Sequence, residues 1–431
     1  MKNIYRSFYY LTILLLVSSC SIQQKVTRLA HSTLLQDQQN ASAHIGIAVY
    51  NPATHQYLCN YQGDKSFIPA SNTKIITCYA AMKYLGDSLV GLRYVDKGNG
   101  IIEAEANGDA SFLMADFKNQ PVFDFLKTKK KILLTDANWK EDAWGYGWAW
   151  NDYNSDYMAE RSVMPLYGNL VSFKADATTV PSFFKNHLQG DTTQKNYRIV
   201  RDMQANHYVI SPSSKKFNGT EIPFYSGDKH LIADLLQDTL QTTVEQVHFK
   251  IERWPDVVKV YSQPTDSLLK IMMHRSDNFF AEQTLLMLSN ERLGFMNDGK
   301  IIDTLLKTDY KDLPQKPQWV DGSGLSHYNL FSPQDLITVL GKMKSEFNWN
   351  RITTIFATGN EGTLGGYYKN YAGKIYAKTG TVSNCVALSG FITTQKGHEY
   401  LFSVMVNHHQ TSASVIRRDI EKFITTIIDK Y

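Results

Sequence analysis

Excess charge is nearly missing from this 431-residue chain: 45 Lys and Arg face 41 Asp and Glu, a formal balance of +4. Lys2 and Arg6 fall in a segment expected to be removed, which leaves about +2. No dense basic run appears either, so nucleic acid is excluded as a partner. Cysteine is scarce, with four residues. No C-x-x-C or H-E-x-x-H spacing occurs, and adjacent His408 and His409 would point to opposite faces of a strand, so no metal is expected. No apolar run is long enough to span a bilayer comfortably, and no internal repeat is evident. Aromatic and aliphatic residues are plentiful, which excludes a disordered chain. The length suits two or three domains with a large core.

What is present begins with an export signal. Lys2 and Arg6 precede the apolar run Phe8 to Val17, and Ser18-Ser19-Cys20 follows. Val17-Ser18-Ser19-Cys20 resembles a bacterial lipobox, which makes Cys20 the expected lipidated first residue after removal of 1–19. A diacylated, N-acylated Cys20 would hold the protein on a membrane face, with 20–24 as tether. Cys59, Cys78 and Cys385 remain, an odd number with apolar neighbours, and they read as small buried hydrophobes.

Hydrophobic periodicity predicts a helix over 25–39, a hairpin from His44–Tyr50 and Gln56–Asn60, and a helix after Ser71 with Ile75, Cys78, Met82 and Leu85 on one face. Residues 87–262 break into short strand-like runs, such as 132–135 and 170–173, and read as a mainly β insert that could be subdivided. Its stretch 144–157 (WGYGWAWNDYNSDY) is strongly aromatic, as expected of a packing segment, with a sugar-stacking platform as the alternative. Two helices are predicted around Ser276-Asp277-Asn278, and another over 333–344 with Ser332 as N-cap and Pro333 at its first position. Strands at 374–378, 384–393 and 400–406 precede a closing amphipathic helix over 412–429. Strands at both chain ends can therefore share one antiparallel sheet flanked by helices. That gives an α+β catalytic unit from 25–86 and 263–431, with the insert between.

Ser71 and Lys74 stand three apart, the spacing that puts a nucleophile and its base on one helical face. The spacing alone is weak, because Ser182/Lys185, Ser213/Lys216, Ser226/Lys229 and Ser267/Lys270 repeat it. Order supplies the specificity: Ser71-x-x-Lys74, then Ser276-x-Asn278, then Lys378-Thr379-Gly380. Phe67–Lys74, His274–Gln283, Asp321–Ser326, Glu361–Leu364 and Ala377–Phe391 extend the likeness, with Gly147–Asp152 and Leu166–Asn169 in the insert. The chain resembles the class C low-molecular-mass penicillin-binding proteins over nearly all of its mature length. Departures are Gly108-Asp109-Ala110-Ser111 for a Gly-Asp-Pro-Ser/Thr segment, His327 where Arg is common, and His408 where a second Asn is common.

The resemblance implies a β-lactamase/transpeptidase-like domain with a helical subdomain. The implied activity is D-Ala-D-Ala carboxypeptidase, often also endopeptidase, on peptidoglycan stem peptides. No cofactor is implied, and β-lactams would be covalent inhibitors. Ser71 would be acylated with Lys74 as base, and Lys378 would help lower the Lys74 pKa. Ser276 would relay a proton to the leaving amine, and Asn278 would orient Lys74 and the substrate amide. Lys378, Thr379 and Thr381 would take the substrate carboxylate, and Gly380 would admit its backbone. The N–H groups of Ser71 and Thr381 would form the oxyanion hole. Ser323 lacks a Gly-x-Ser-x-Gly frame and reads as structural. A β-lactamase is a competing reading, but its deacylating Glu has only Glu103–Asn107 and Glu346–Asn350 to offer, both misplaced in the chain. An inactive wall-binding lipoprotein is the alternative from another class.

Overall fold

The computed structural model describes residues 22–36, 42–174, 178–191, 198–211, 219–251 and 256–431. Cys20 and the Ser213/Lys216 spacing lie outside them. The central sheet has six strands, in the order Ala357–Thr358, Ile375–Val382, Cys385–Thr393, Glu399–Asn407, His44–Asn51 and Gln56–Tyr61. All pairs are antiparallel, and Ile47 opposite Val404 joins the two ends of the chain. Both faces of this sheet are covered, so its middle strand is buried from Cys385 to Ile392. Side chains alternate between two cores. Val386, Leu388, Phe402 and Val404 pack under the closing helix Ala413–Lys430 and the helix over 22–35, through Val26, Ala30 and Leu34. Ala387, Phe391, Leu401 and Met405 face the helical block instead.

That block surrounds the helix Thr73–Tyr84. One apolar face was expected here, but Thr73 through Met82 are all buried, because Asn278–Leu293 and Pro333–Glu346 enclose it. Its polar residues therefore need internal partners: Thr77 Oγ1 donates to the Gly322 carbonyl at 2.7 Å. The expected cap of Pro333–Glu346 is present and reciprocal, since Ser332 Oγ accepts from Asp335 N and Asp335 Oδ2 from Ser332 N. Helices Asp298–Lys307 and Trp349–Ile355 complete the block.

Between Asp87 and Thr265, where Thr265 N–H donates to the Asp87 carbonyl at 2.9 Å, the chain builds a second layered body. Its main sheet runs Thr243–Val247, Lys131–Thr135, Ile101–Ala106, Ser88–Gly98 and Val258–Pro264. Lys131–Thr135 is parallel to both neighbours. Parallel neighbours need crossovers, and Pro121–Lys127 and Leu231–Leu240 are the helices in those connections. Two three-stranded sheets complete it. Cys59, Cys78 and Cys385 are free and buried.

Candidate active site

Ser71 sits in a one-turn 3-10 segment, Ala70–Asn72, which feeds the buried helix from Thr73. Ala70 has φ 48°, a left-handed conformation that costs a non-glycine residue about 1–2 kcal/mol. Tertiary contacts hold this turn. Asn72 Nδ2 donates to the Lys378 carbonyl at 2.9 Å, and Asn407 Oδ1 accepts from Ile68 N at 2.7 Å. A Cβ on Gly380 would lie 2.6 Å from the Pro69 carbonyl, so its bareness admits the turn itself. A Cβ on Gly324 (φ 81°) would lie 1.9 Å from the Ala70 carbonyl.

Lys74 Nζ is wholly buried and contacts Ser71 Oγ at 2.9 Å, Asn278 Oδ1 at 2.7 Å and the Ser323 carbonyl at 2.8 Å. These three acceptors match the three protons of an ammonium. Burial lowers the Lys74 pKa to about 8, against the opposing pull of Asp321, Glu282 and Asp277. From 10.5, that is about 3 kcal/mol against the charged form. The Ser323 side chain does serve its own loop, accepting from Leu325 N at 3.2 Å, yet its carbonyl belongs to the site.

Across the groove, Ser276 caps the helix Thr265–Arg275 with φ 62°. Its Oγ accepts from Lys378 Nζ at 2.8 Å, and Lys378 also donates to the Thr379 carbonyl at 2.8 Å. Lys378 is fully buried, and burial first and Lys74 second push its pKa well down. Asn278 opens the helix Asn278–Leu293, behind the N-cap Asp277. Its Nδ2 is taken by the Tyr157 carbonyl at 2.9 Å. Thr379 Oγ1 donates to Thr363 Oγ1 at 2.7 Å.

Ser71, Ser276, Asn278 and Thr381 line a cleft of about 520 Å³ with Gly147, Asp152, Tyr157 and His327. A second cleft of about 670 Å³ adjoins it at Tyr157, Ser276 and Asn278. The aromatic stretch 144–157 thus forms the insert's wall of the site, with Tyr146 and Trp150 exposed. Its Trp148 Nε1 donates to Asp321 Oδ2 at 3.2 Å. Asp321 is buried and also accepts from Gly324 N and Ser326 N, so it shapes the loop that supplies the Ser323 carbonyl. Glu282 Oε1 accepts from Ser323 N at 2.8 Å, and burial pushes its carboxyl up to about 8.

The competing Ser/Lys spacings look different. Lys185, Lys229 and Lys270 are exposed, whereas Lys74 is wholly buried. Glu103 pairs with Lys97, and Glu346 accepts from Tyr79 at the far end of the Ser71 helix. Neither lines the clefts. Among the described residues no group of three or more His, Cys, Asp or Glu could hold a metal ion.

The sequence profile of the D-Ala-D-Ala carboxypeptidase 3 (S13) family matches residues 29–427. The chain belongs to that family. D-alanyl-D-alanine carboxypeptidase DacB of Haemophilus influenzae is 23% identical over 425 residues, covering 86% of each chain. The crystal structure of penicillin binding protein 4 (dacB) from Haemophilus influenzae superposes with a TM-score of 0.73 at 20% identity, over 93% of this chain and 98% of that one. A predatory peptidoglycan endopeptidase from Bdellovibrio bacteriovorus matches with a TM-score of 0.53 at 15% identity, over 90% and 93%. The family, the α+β penicillin-binding fold and the serine-peptidase class expected from the sequence all hold. Asn72, Asp321, Glu282 and Tyr157 were given no role from the sequence, although each lies in a segment it singled out: Phe67–Lys74, Asp321–Ser326, His274–Gln283 and 144–157.

Proposed function

We propose that this family member is a serine D-Ala-D-Ala carboxypeptidase of peptidoglycan stem peptides, working through an acyl-enzyme on Ser71. The observation that carries the residue roles is the buried Lys74 Nζ, 2.9 Å from Ser71 Oγ and 2.7 Å from Asn278 Oδ1. Neutral Lys74 takes the Ser71 proton as Oγ attacks the carbonyl of the penultimate D-Ala. The N–H groups of Ser71 and Thr381 stabilise the oxyanion, each worth about 3–4 kcal/mol. The C–N bond then breaks. The leaving amine receives the proton that Lys74 took, relayed through Ser276, whose Oγ is backed by Lys378 at 2.8 Å, and Lys74 is neutral again. Water next attacks the ester, Lys74 takes its proton, and Ser71 leaves protonated. The same steps cleave D-Ala–diamino acid cross-links, and the adjoining second cleft supports an endopeptidase activity.

Residues 25–86 and 263–431 act as the catalytic unit in this reading, and 87–262 as an insert that builds one wall of the groove. Export rests on Lys2, Arg6 and the apolar run Phe8 to Val17, and an anchor at Cys20 rests on the lipobox-like Val17–Cys20. Helix begins by Ile22 and docks on the body through Val26, so an anchor at Cys20 would keep the enzyme close to its membrane. Among the described residues no helix is long and apolar enough to cross a membrane.

Purified protein incubated with muropeptides is expected to release terminal D-Ala. Muropeptides that keep both their terminal D-Ala and their cross-links would overturn the proposal.

A further inference from the structure

The Lys378-Thr379-Gly380-Thr381 strand was expected to meet the substrate carboxylate through Lys378 and both threonines. The fold spends two of those groups elsewhere. Lys378 Nζ is buried on Ser276 and the Thr379 carbonyl, and the Thr379 hydroxyl proton goes to Thr363. Thr381 lines the cleft with Ser71, whereas Thr379, Lys378 and Arg417 do not, so Arg417 reaches the cleft through Thr381. The group that engages Thr381 comes from the last helix: Arg417 Nη2 donates to Thr381 Oγ1 at 2.7 Å.

That bond has a direction. A guanidinium has only donors, so it cannot accept the Thr381 proton. Thr381 Oγ1 is therefore the acceptor in that bond and keeps its own O–H to give, and the residue lines the cleft. The bond uses one of the donors a guanidinium carries, and Arg stays charged at any physiological pH. Its neighbour Arg418 is committed to Glu421 and the Gly366 carbonyl and does not substitute for it. A carboxylate beside Thr381 would meet an oriented hydroxyl and a permanent cation.

We propose that Arg417 is a specificity-determining residue that selects leaving groups bearing a free carboxylate, both by its charge and by fixing Thr381 as a donor. The inference rests on the acyl-transfer reading of the site. A terminal D-Ala carries such a carboxylate, and so does a cross-linked diamino acid whose carboxyl sits on the carbon bearing the cleaved amide nitrogen. Arg417 therefore serves both reactions and rejects substrates whose end is amidated.

The test is kcat/KM on an acylated D-Ala-D-Ala peptide and on its C-terminal carboxamide, for the wild type, Arg417→Ala, Arg417→Lys and Thr381→Val. The wild type is expected to favour the carboxylate, less strongly as salt rises. Arg417→Ala should lower the carboxylate-to-carboxamide ratio by about ten- to hundredfold, the scale of a charge-assisted hydrogen bond. Arg417→Lys should recover part of it, and Thr381→Val should lower it as well. An Arg417→Ala loss that falls equally on both substrates, or a ratio left as in the wild type, overturns the inference. A wild type inert on both peptides sinks the acyl-transfer reading itself, and that outcome is read without any variant.

Discussion

Lys74 Nζ has three acceptors in reach and a pKa held to about 8, so acylation should wait on its deprotonation. With a pKa of about 8, roughly a tenth of the enzyme is neutral at pH 7, half at pH 8 and nine-tenths at pH 9. The acylation rate should therefore climb about tenfold from pH 7 to 9 along a limb centred near 8. The perturbation is Asn278→Asp, which keeps the shape of the side chain and sets an anion where Oδ1 now lies 2.7 Å from Nζ. An opposite charge at that range raises a lysine pKa by about one to three units. The limb should move to pH 9 or above, and the rate at pH 7 should fall about tenfold to a thousandfold. The rate at the top of the limb should change far less. The assay is labelling by a fluorescent penicillin, timed from pH 6 to 10, with circular dichroism to verify folding. A variant that folds and labels with its limb still near 8 would refute Lys74 as the base. So would a wild-type rate that is flat over this range.

Ser71→Ala should abolish covalent penicillin labelling while leaving the melting temperature close to the wild type; a labelled variant would place the nucleophile elsewhere. Gly324→Ala must take φ 81° and a Cβ 1.9 Å from the Ala70 carbonyl, so it should cost about 2–4 kcal/mol in urea denaturation and slow acylation with it. Arg161 is buried and bonds Asp298 Oδ2 at 2.6 Å, with Glu282 and Glu141 within 3.5 Å, which ties the insert to the helical block. Arg161→Met should lose about 3–5 kcal/mol by stranding those acids, and a change under 1 kcal/mol by calorimetry would contradict that account. Ser332→Ala removes one half of a reciprocal cap and should cost about 1 kcal/mol by the same measurement.

The local pattern carried much of the architecture. Alternation along Ile45, Ile47 and Val49, the Ser332-Pro333 helix start and the apolar rows of 416–428 are read within a few residues, and each became the element expected. The Ser71 helix was read correctly as a helix, but as a one-faced one. Amphipathicity is judged from one strand of text, and this helix is enclosed on every side by segments two hundred residues away. The insert's crossover helices were missed for a related reason. Short strand runs and turn residues dominate its text, and a parallel pairing such as Ile101–Ala106 with Lys131–Thr135 is invisible until strands are laid side by side.

By itself the sequence determined the family, the order of its motifs and the residue types the chemistry requires. Those are properties of short segments, and short segments can be read. Only the tertiary structure decided which of several equivalent Ser/Lys spacings has its lysine buried. It alone put the Ser323 carbonyl on Lys74, took Lys378 to Ser276 and set Arg417 against Thr381. A pKa shift and the direction of a hydrogen bond depend on what encloses a group, and that enclosure is built from residues far away in the chain.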